Sequence, residues 1–196
     1  MPLLLLAAVA GCLSDAREPQ GSRSEAAATN SPGGPSMKLT VTSTAFADGQ
    51  RIPKKYSGEG EDLSPALAWT GVPEGTRELA LICDDPDAPQ PEPWMHWVIY
   101  KIPAGVTALR EGIPREPQLT DPRGALQGKN SWPKGETIGY RGPMPPPGHG
   151  VHHYHFRVYA LDVELAVKAG LDKKALLKAM EGHILAEGRL TGTYQR

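Results

Sequence analysis

Apolar and polar positions in this chain either alternate or gather in short unbroken runs, and both patterns predict strands. Residues 151–161 (VHHYHFRVYAL) show the alternation best. His152, Tyr154, Phe156, Val158 and Ala160 fall on one face, and His153, His155, Arg157 and Tyr159 on the other. The first face turns apolar along its length, so it is expected on the core, with His152 and Tyr154 at the mouth of that core. Residues 78–83 (ELALIC) and 94–102 (WMHWVIYKI) are apolar runs too short for helices and read as buried strands. Residues 37–46 (MKLTVTSTAF) predict an opening strand, 66–69 a short one and 189–194 a closing one. Helical spacing comes late. Leu176, Met180 and Ile184 recur every fourth position beside Leu177, and Asp172 is placed to cap, which predicts an amphipathic helix over residues 173–185. Gly182 weakens it, and residues 163–169 read as one or two further helical turns.

Turn residues explain why the strands are short. Pro (20) and Gly (22) together exceed a fifth of the 196 residues. Four prolines lie in residues 86–93, and residues 142–150 (GPMPPPGHG) form a Pro/Gly loop of defined shape. The length suits one domain with a substantial core. Formal net charge is −1 with both signs interspersed, and the absence of a basic face argues against nucleic acid as a partner.

Residues 1–36 differ in character. The apolar run at 2–10 (PLLLLAAVA) is too short to span a bilayer and has the length of a signal-peptide core. Val9-Ala10-Gly11-Cys12 is similar to a bacterial lipoprotein cleavage box. Residues 1–11 are therefore expected to be a signal peptide, Cys12 to carry a lipid, and residues 12–36 to be a flexible tether to a domain over 37–196. No Lys or Arg precedes the apolar run, so the expectation is either a start codon upstream or inefficient translocation. A lipid-anchored location in the bacterial cell envelope follows; the competing reading is an apolar tail on a cytosolic protein.

Candidate chemistry gathers at strand ends. The run 78–83 ends on Asp84, Asp85 and Asp87, and the next strand begins near His96. If these strands are antiparallel neighbours, Asp85 and His96 share one edge. If strand 151–161 runs parallel to 96–102, His152 and Tyr154 join them, and three distant segments build one pocket. Two imidazoles and a phenol can donate to phosphate or carboxylate oxygens, with Asp85 and Asp87 orienting histidines or accepting from a ligand ammonium. Asp87 reads equally well as a cap of loop N–H groups, and His153 and His155 as a solvated face. His152 and His153 point oppositely and no zinc spacing is present, so no metal is expected. No GxSxG motif occurs and Cys83 sits in a buried run, so no catalytic nucleophile is expected either.

Two motifs carry a resemblance: DPDAP (85–89) followed by His96-Trp97, and GPMPPPGHGVHHYHF (142–156). SPALAW (64–69), GVPEGT (71–76) and AMEGHILAEGRLTGTY (179–194) extend it. From about residue 37 onward the chain resembles the phosphatidylethanolamine-binding protein (PEBP) family, in its bacterial Raf kinase inhibitor-like branch. The resemblance implies a mainly β fold: a large central antiparallel sheet, a smaller second sheet and peripheral C-terminal helices. It implies a pocket of Asp85, His96, His152 and Tyr154, lined by Asp87, Pro89, Trp94 and the Met144 backbone, with no cofactor. Four positions depart from the family pattern: His153 stands where Arg is common, Met144 where Cys is frequent, and Lys101 and Asp62 where Asn is usual.

The expected function is non-catalytic binding of phosphate-type anions, phosphoethanolamine or phospholipid headgroups. The first alternative is a protein-interaction module inhibiting a kinase or protease. The second is a phosphoester or peptide hydrolase using the His/Asp cluster. Homodimerisation stays open, and membrane association would run through the lipid on Cys12.

Overall fold

The computed structural model describes residues 37–133 and 137–196. The expected signal sequence, the tether and Cys12 lie outside them. In chain order the elements are β1 (Met37–Lys38), β2 (Thr40–Ser43), β3 (Leu67–Thr70), β4 (Glu78–Asp85), β5 (Trp94–Pro103), β6 (Ala108–Leu109), β7 (Leu126–Gln127), β8 (His152–Leu161), α1 (Lys173–Met180) and β9 (Ile184–Tyr194). A 3₁₀ turn covers Lys54–Tyr56. The fold is mainly β. The larger sheet has the order β1-β9-β8-β4-β5-β7 and is antiparallel apart from β1, which runs parallel to β9; the smaller has the order β2-β3-β6.

The apolar runs sit where full burial requires them. β4 lies between β5 and β8 and is buried at all eight positions. Its period of two divides it between two cores. Leu79, Leu81 and Cys83 join the core between the two sheets, where Val41, Leu67, Trp69 and Leu109 of the small sheet meet them. Ala80 and Ile82 join a second core beneath α1, with Leu176 and Met180. The molecule is thus small sheet, large sheet, helix. Each fully buried large side chain contributes about 1.5–3 kcal/mol of transfer free energy, and Trp97 and Trp69 keep their indole N–H groups satisfied, on Gln127 Oε1 (2.7 Å) and Val106 O (2.9 Å).

Three sequence expectations are corrected. The opening strand is two short ones: Lys38 pairs with Glu187 in the large sheet, and after Leu39 the chain crosses to pair Thr40 with Thr70 in the small one. Residues 163–169 are not helical. Leu165 is buried and Val163 and Val167 pack against the helix-side core, a period-two pattern that suits extended chain better than a helix. The helix is capped by Asp172, whose carboxylate accepts from Ala175 N at 2.8 Å, but stops at Met180. Gly182 takes φ +80°, the left-handed region that ends helices, and the chain re-enters the sheet at Ile184. α1 is accordingly the one α-helix among the described residues, where helices in the plural were expected. None there is long and apolar enough to cross a membrane.

Candidate functional site

Strand direction brings the polar residues together. β5 and β8 both run antiparallel to β4, hence parallel to each other, and Asp85 pairs with Trp94 at the edge where β8 begins. Asp84 and Asp85 then serve opposite faces. Asp84 turns to the helix side, where Arg157 Nη1 (2.7 Å) and Lys173 Nζ (2.6 Å) hold its carboxylate. Asp85 turns to the side of Cys83, between the sheets.

His96 reaches the same side through an irregularity. Cys83 pairs with Trp97 but Asp84 with Met95, so His96 is skipped in the ladder. Strict alternation would place His96 opposite Trp97; the bulge re-aims it toward Asp85 and Tyr154. The His96 and Tyr154 rings meet edge-on at 4.9 Å and 87°. Asp85, His96, His152 and Tyr154 are 3, 2, 1 and 1 % exposed, so the polar group belongs to the interior and not to the surface.

Their hydrogen bonds fix orientation. Asp85 Oδ1 accepts from Asp87 N at 2.9 Å, and Oδ2 lies 2.7 Å from His152 Nδ1, which therefore carries a hydrogen. Both carboxylate oxygens are thus engaged by protein donors. His152 Nε2 lies 2.8 Å from Nδ1 of His149, an exposed residue between Gly148 and Gly150. Nδ1 of His96 donates to the carbonyl of Arg141 at 2.6 Å. Burial is the main cause that drops the basicity of His96 to about 4, so the ring is neutral near pH 7. The Tyr154 hydroxyl is buried and makes no hydrogen bond of good geometry, although the Asp85 carboxylate lies close enough to act on it as a poor acceptor. Burial first, then the Asp85 charge, raises its ionisation far above the phenol range, so it stays O–H.

These groups border a cavity of about 340 Å³, at the small end of the about 300–1,000 Å³ found for small-molecule sites. Of the residues singled out in the sequence, Asp85, Pro89, Trp94, His96, Met144, His152 and Tyr154 line it. Asp87 does not. Its carboxylate faces His153 instead, accepting from the backbone N–H at 2.8 Å and lying 2.8 Å from the ring Nδ1. Burial works against ionisation of Asp87, but these bonds hold its carboxyl below the ordinary value.

The sequence reading missed Trp132, Gln90 and Arg196 on the cavity wall. Trp132 stands edge-on to His96 at 5.0 Å and beneath the Arg141 guanidinium at 5.4 Å. Among the described residues Arg196 brings the wall's one permanently cationic side chain, resting 3.5 Å from Glu59 and 3.3 Å from the Pro145 carbonyl. Asp62 works from behind the wall: Oδ1 accepts from Gly142 N (2.6 Å) and Oδ2 pairs with Arg115 (2.6 Å) and Arg141 (3.0 Å). Gly142 is needed there, since a Cβ would lie 2.1 Å from Tyr56 O. Among the described residues, Asp62 and Lys101 are the non-glycine residues with positive φ, 56° and 55°. Both stand where the resemblance has Asn, which tolerates that region.

The site is a small, largely buried polar pocket at one sheet end of a mainly β architecture. The chain belongs to the phosphatidylethanolamine-binding protein family, whose model matches residues 42–195. A UPF0098 protein of Methanothermobacter thermautotrophicus is 49% identical over 158 residues, covering 81% of this chain and 99% of that one. A solved phosphatidylethanolamine-binding protein homologue from Chlamydia trachomatis is 41% identical with a TM-score of 0.71, covering 82% and 99% of the two chains. An Escherichia coli structure, described as a member of the mammalian PEBP family, is 33% identical with a TM-score of 0.74, covering 81% and 99%. Family membership supports a binding-protein role.

Proposed function

We propose that this chain is a non-catalytic binding protein whose pocket holds a phosphate-type anion, free or as a phosphoethanolamine headgroup. The observation that carries this reading is the Tyr154 hydroxyl. The Tyr154 side chain lines the cavity beside two imidazoles, and its buried O–H makes no hydrogen bond of good geometry, only a poorly formed one toward Asp85, so a better-placed acceptor would stabilise it. Arg196 supplies positive charge, and the His152 and Asp87 N–H groups that donate to Asp85 offset part of its carboxylate charge. His149 occupies Nε2 of His152; a hydrogen-bond donor of the ligand takes that place, with the His149 ring swinging out on its two flanking glycines. The name of the family points to the same ligand class.

The non-catalytic part of the reading is supported by the state of the thiol, which does not line the cavity. Cys83, the free thiol among the described residues, is fully buried, and burial pushes its ionisation well up, which disfavours the nucleophilic thiolate. The test is an NMR titration of the histidine rings with phosphate and with phosphoethanolamine. The His96 and His152 signals should shift saturably, and His152→Ala should abolish the response. Binding that is unchanged in the variant rejects the site.

A further inference from the structure

The pocket wall contains an acceptor as well as donors: geometry fixes which ring nitrogen of His96 holds the hydrogen, and burial keeps the other one bare. His96 Nδ1 lies 2.6 Å from a backbone carbonyl, which only accepts, so Nδ1 carries the ring hydrogen. The same two residues are joined again by Arg141 N donating to His96 O at 2.9 Å. The ring is held edge-on between Tyr154 and Trp132, at 4.9 and 5.0 Å, so it cannot turn over without breaking both contacts. Around it stand Asp84 and Asp85 from β4 and Asp62 from the loop before β3, whose charges favour a cationic ring, but burial outweighs them. The Arg141 guanidinium is paired with Asp62 at 3.0 Å. Nε2 of His96, on the cavity side, therefore presents a lone pair and no hydrogen at neutral pH, while the Tyr154 hydroxyl beside it has a hydrogen to give.

We propose that the pocket selects the singly protonated form of a phosphate, with the P–OH donating to His96 Nε2 and the Tyr154 hydroxyl donating to an unprotonated oxygen. This rests on the pocket being a phosphate-type site and narrows its ligand to inorganic phosphate or a phosphomonoester. Sulfate has the same shape but carries no proton at neutral pH, so it sets an oxygen lone pair against that of Nε2. A phosphodiester, as in an intact phospholipid, also lacks the P–OH. Leaving a buried acceptor unsatisfied reduces affinity by roughly tenfold or more.

Calorimetric titration of the folded chain with inorganic phosphate, phosphoethanolamine, sulfate and glycerophosphoethanolamine, at pH 6 and pH 8 and constant ionic strength, tests this. At pH 6, phosphate and phosphoethanolamine should bind at least about tenfold more tightly than sulfate and the diester. A monoester with its second pKa at about 6 should bind about fiftyfold more weakly at pH 8, as its monoanion is depleted. Sulfate keeps its charge throughout and so reports the protein's own titration. Equal affinities for phosphate and sulfate at pH 6, or the same pH slope for both, would overturn the selection and leave the anion pocket standing. Failure of every oxyanion to bind would overturn both. Nitrogen-15 spectra of the phosphate complex give an independent reading: His96 should remain the neutral Nδ1–H tautomer, and protonation of both nitrogens on binding would refute the proposal.

Discussion

Tyr154→Phe removes one oxygen and should move stability and affinity in opposite directions. The hydroxyl is buried with only a poorly formed hydrogen bond toward Asp85, a situation that costs up to about 1–3 kcal/mol on mutational scales. Nothing else about the ring changes: its edge contact with His96 at 4.9 Å is made by carbon atoms that Phe retains. The ligand-free variant should therefore be as stable as the parent or more so. For a domain of this size each kcal/mol moves the midpoint by about 2–4 °C, so the gain is up to about 10 °C. With ligand the sign reverses. A lost hydrogen bond to an anionic oxygen is about 1.5–3 kcal/mol, or about 10- to 150-fold in Kd. Thermal unfolding by circular dichroism reads the first quantity and calorimetric titration with phosphate the second. A variant that unfolds earlier yet binds phosphate as the parent does would show the hydroxyl to be structural and refute the reasoning.

The other predictions are briefer. Asp84→Asn strips the carboxylate from Arg157 and Lys173 and should cost about 3–5 kcal/mol in a urea titration while leaving phosphate affinity intact, in contrast to its neighbour Asp85. His96 lowers stability in acid: its folded pKa is about 4 against 6.5 in the unfolded chain, so the unfolded state takes up the proton first. Stability attributable to it is intact above about pH 6.5 and declines by about 3 kcal/mol as pH falls toward 4; a His96 ring seen by NMR to titrate near 6.5 contradicts this. Cys12→Ser should move the full-length protein from the membrane fraction to the soluble one, and unaltered partitioning would remove the lipoprotein reading.

The sequence revealed those parts of the site that sit on regular strands. β8 gave its buried face residue by residue, because a period of two leaves His152, Tyr154 and Phe156 no other side. Convergence of the three segments was legible only on condition of two strand directions, which the pairing of β5 and β8 with β4 supplies. Side chains governed by irregular backbone were hidden. His96 faces the pocket because of a bulge that no alternation records. Trp132 lies in a Gly-rich stretch without periodicity, and Arg196 follows the end of β9, so neither carried a signal of position. Asp62 was marked only as a departure from the family's Asn, and its three partners come from segments 53 to 80 residues away. Residues 163–169 were misread because a short apolar run serves a helix or an extended strap equally well until its packing partner is known.

A crystal structure of the chain grown with phosphoethanolamine bears most directly on the pocket. The phosphate should lie in the cavity within hydrogen-bond reach of Tyr154 Oη and His96 Nε2, with His149 turned away from His152. Ligand density elsewhere, or an unoccupied cavity at a saturating concentration, would contradict it.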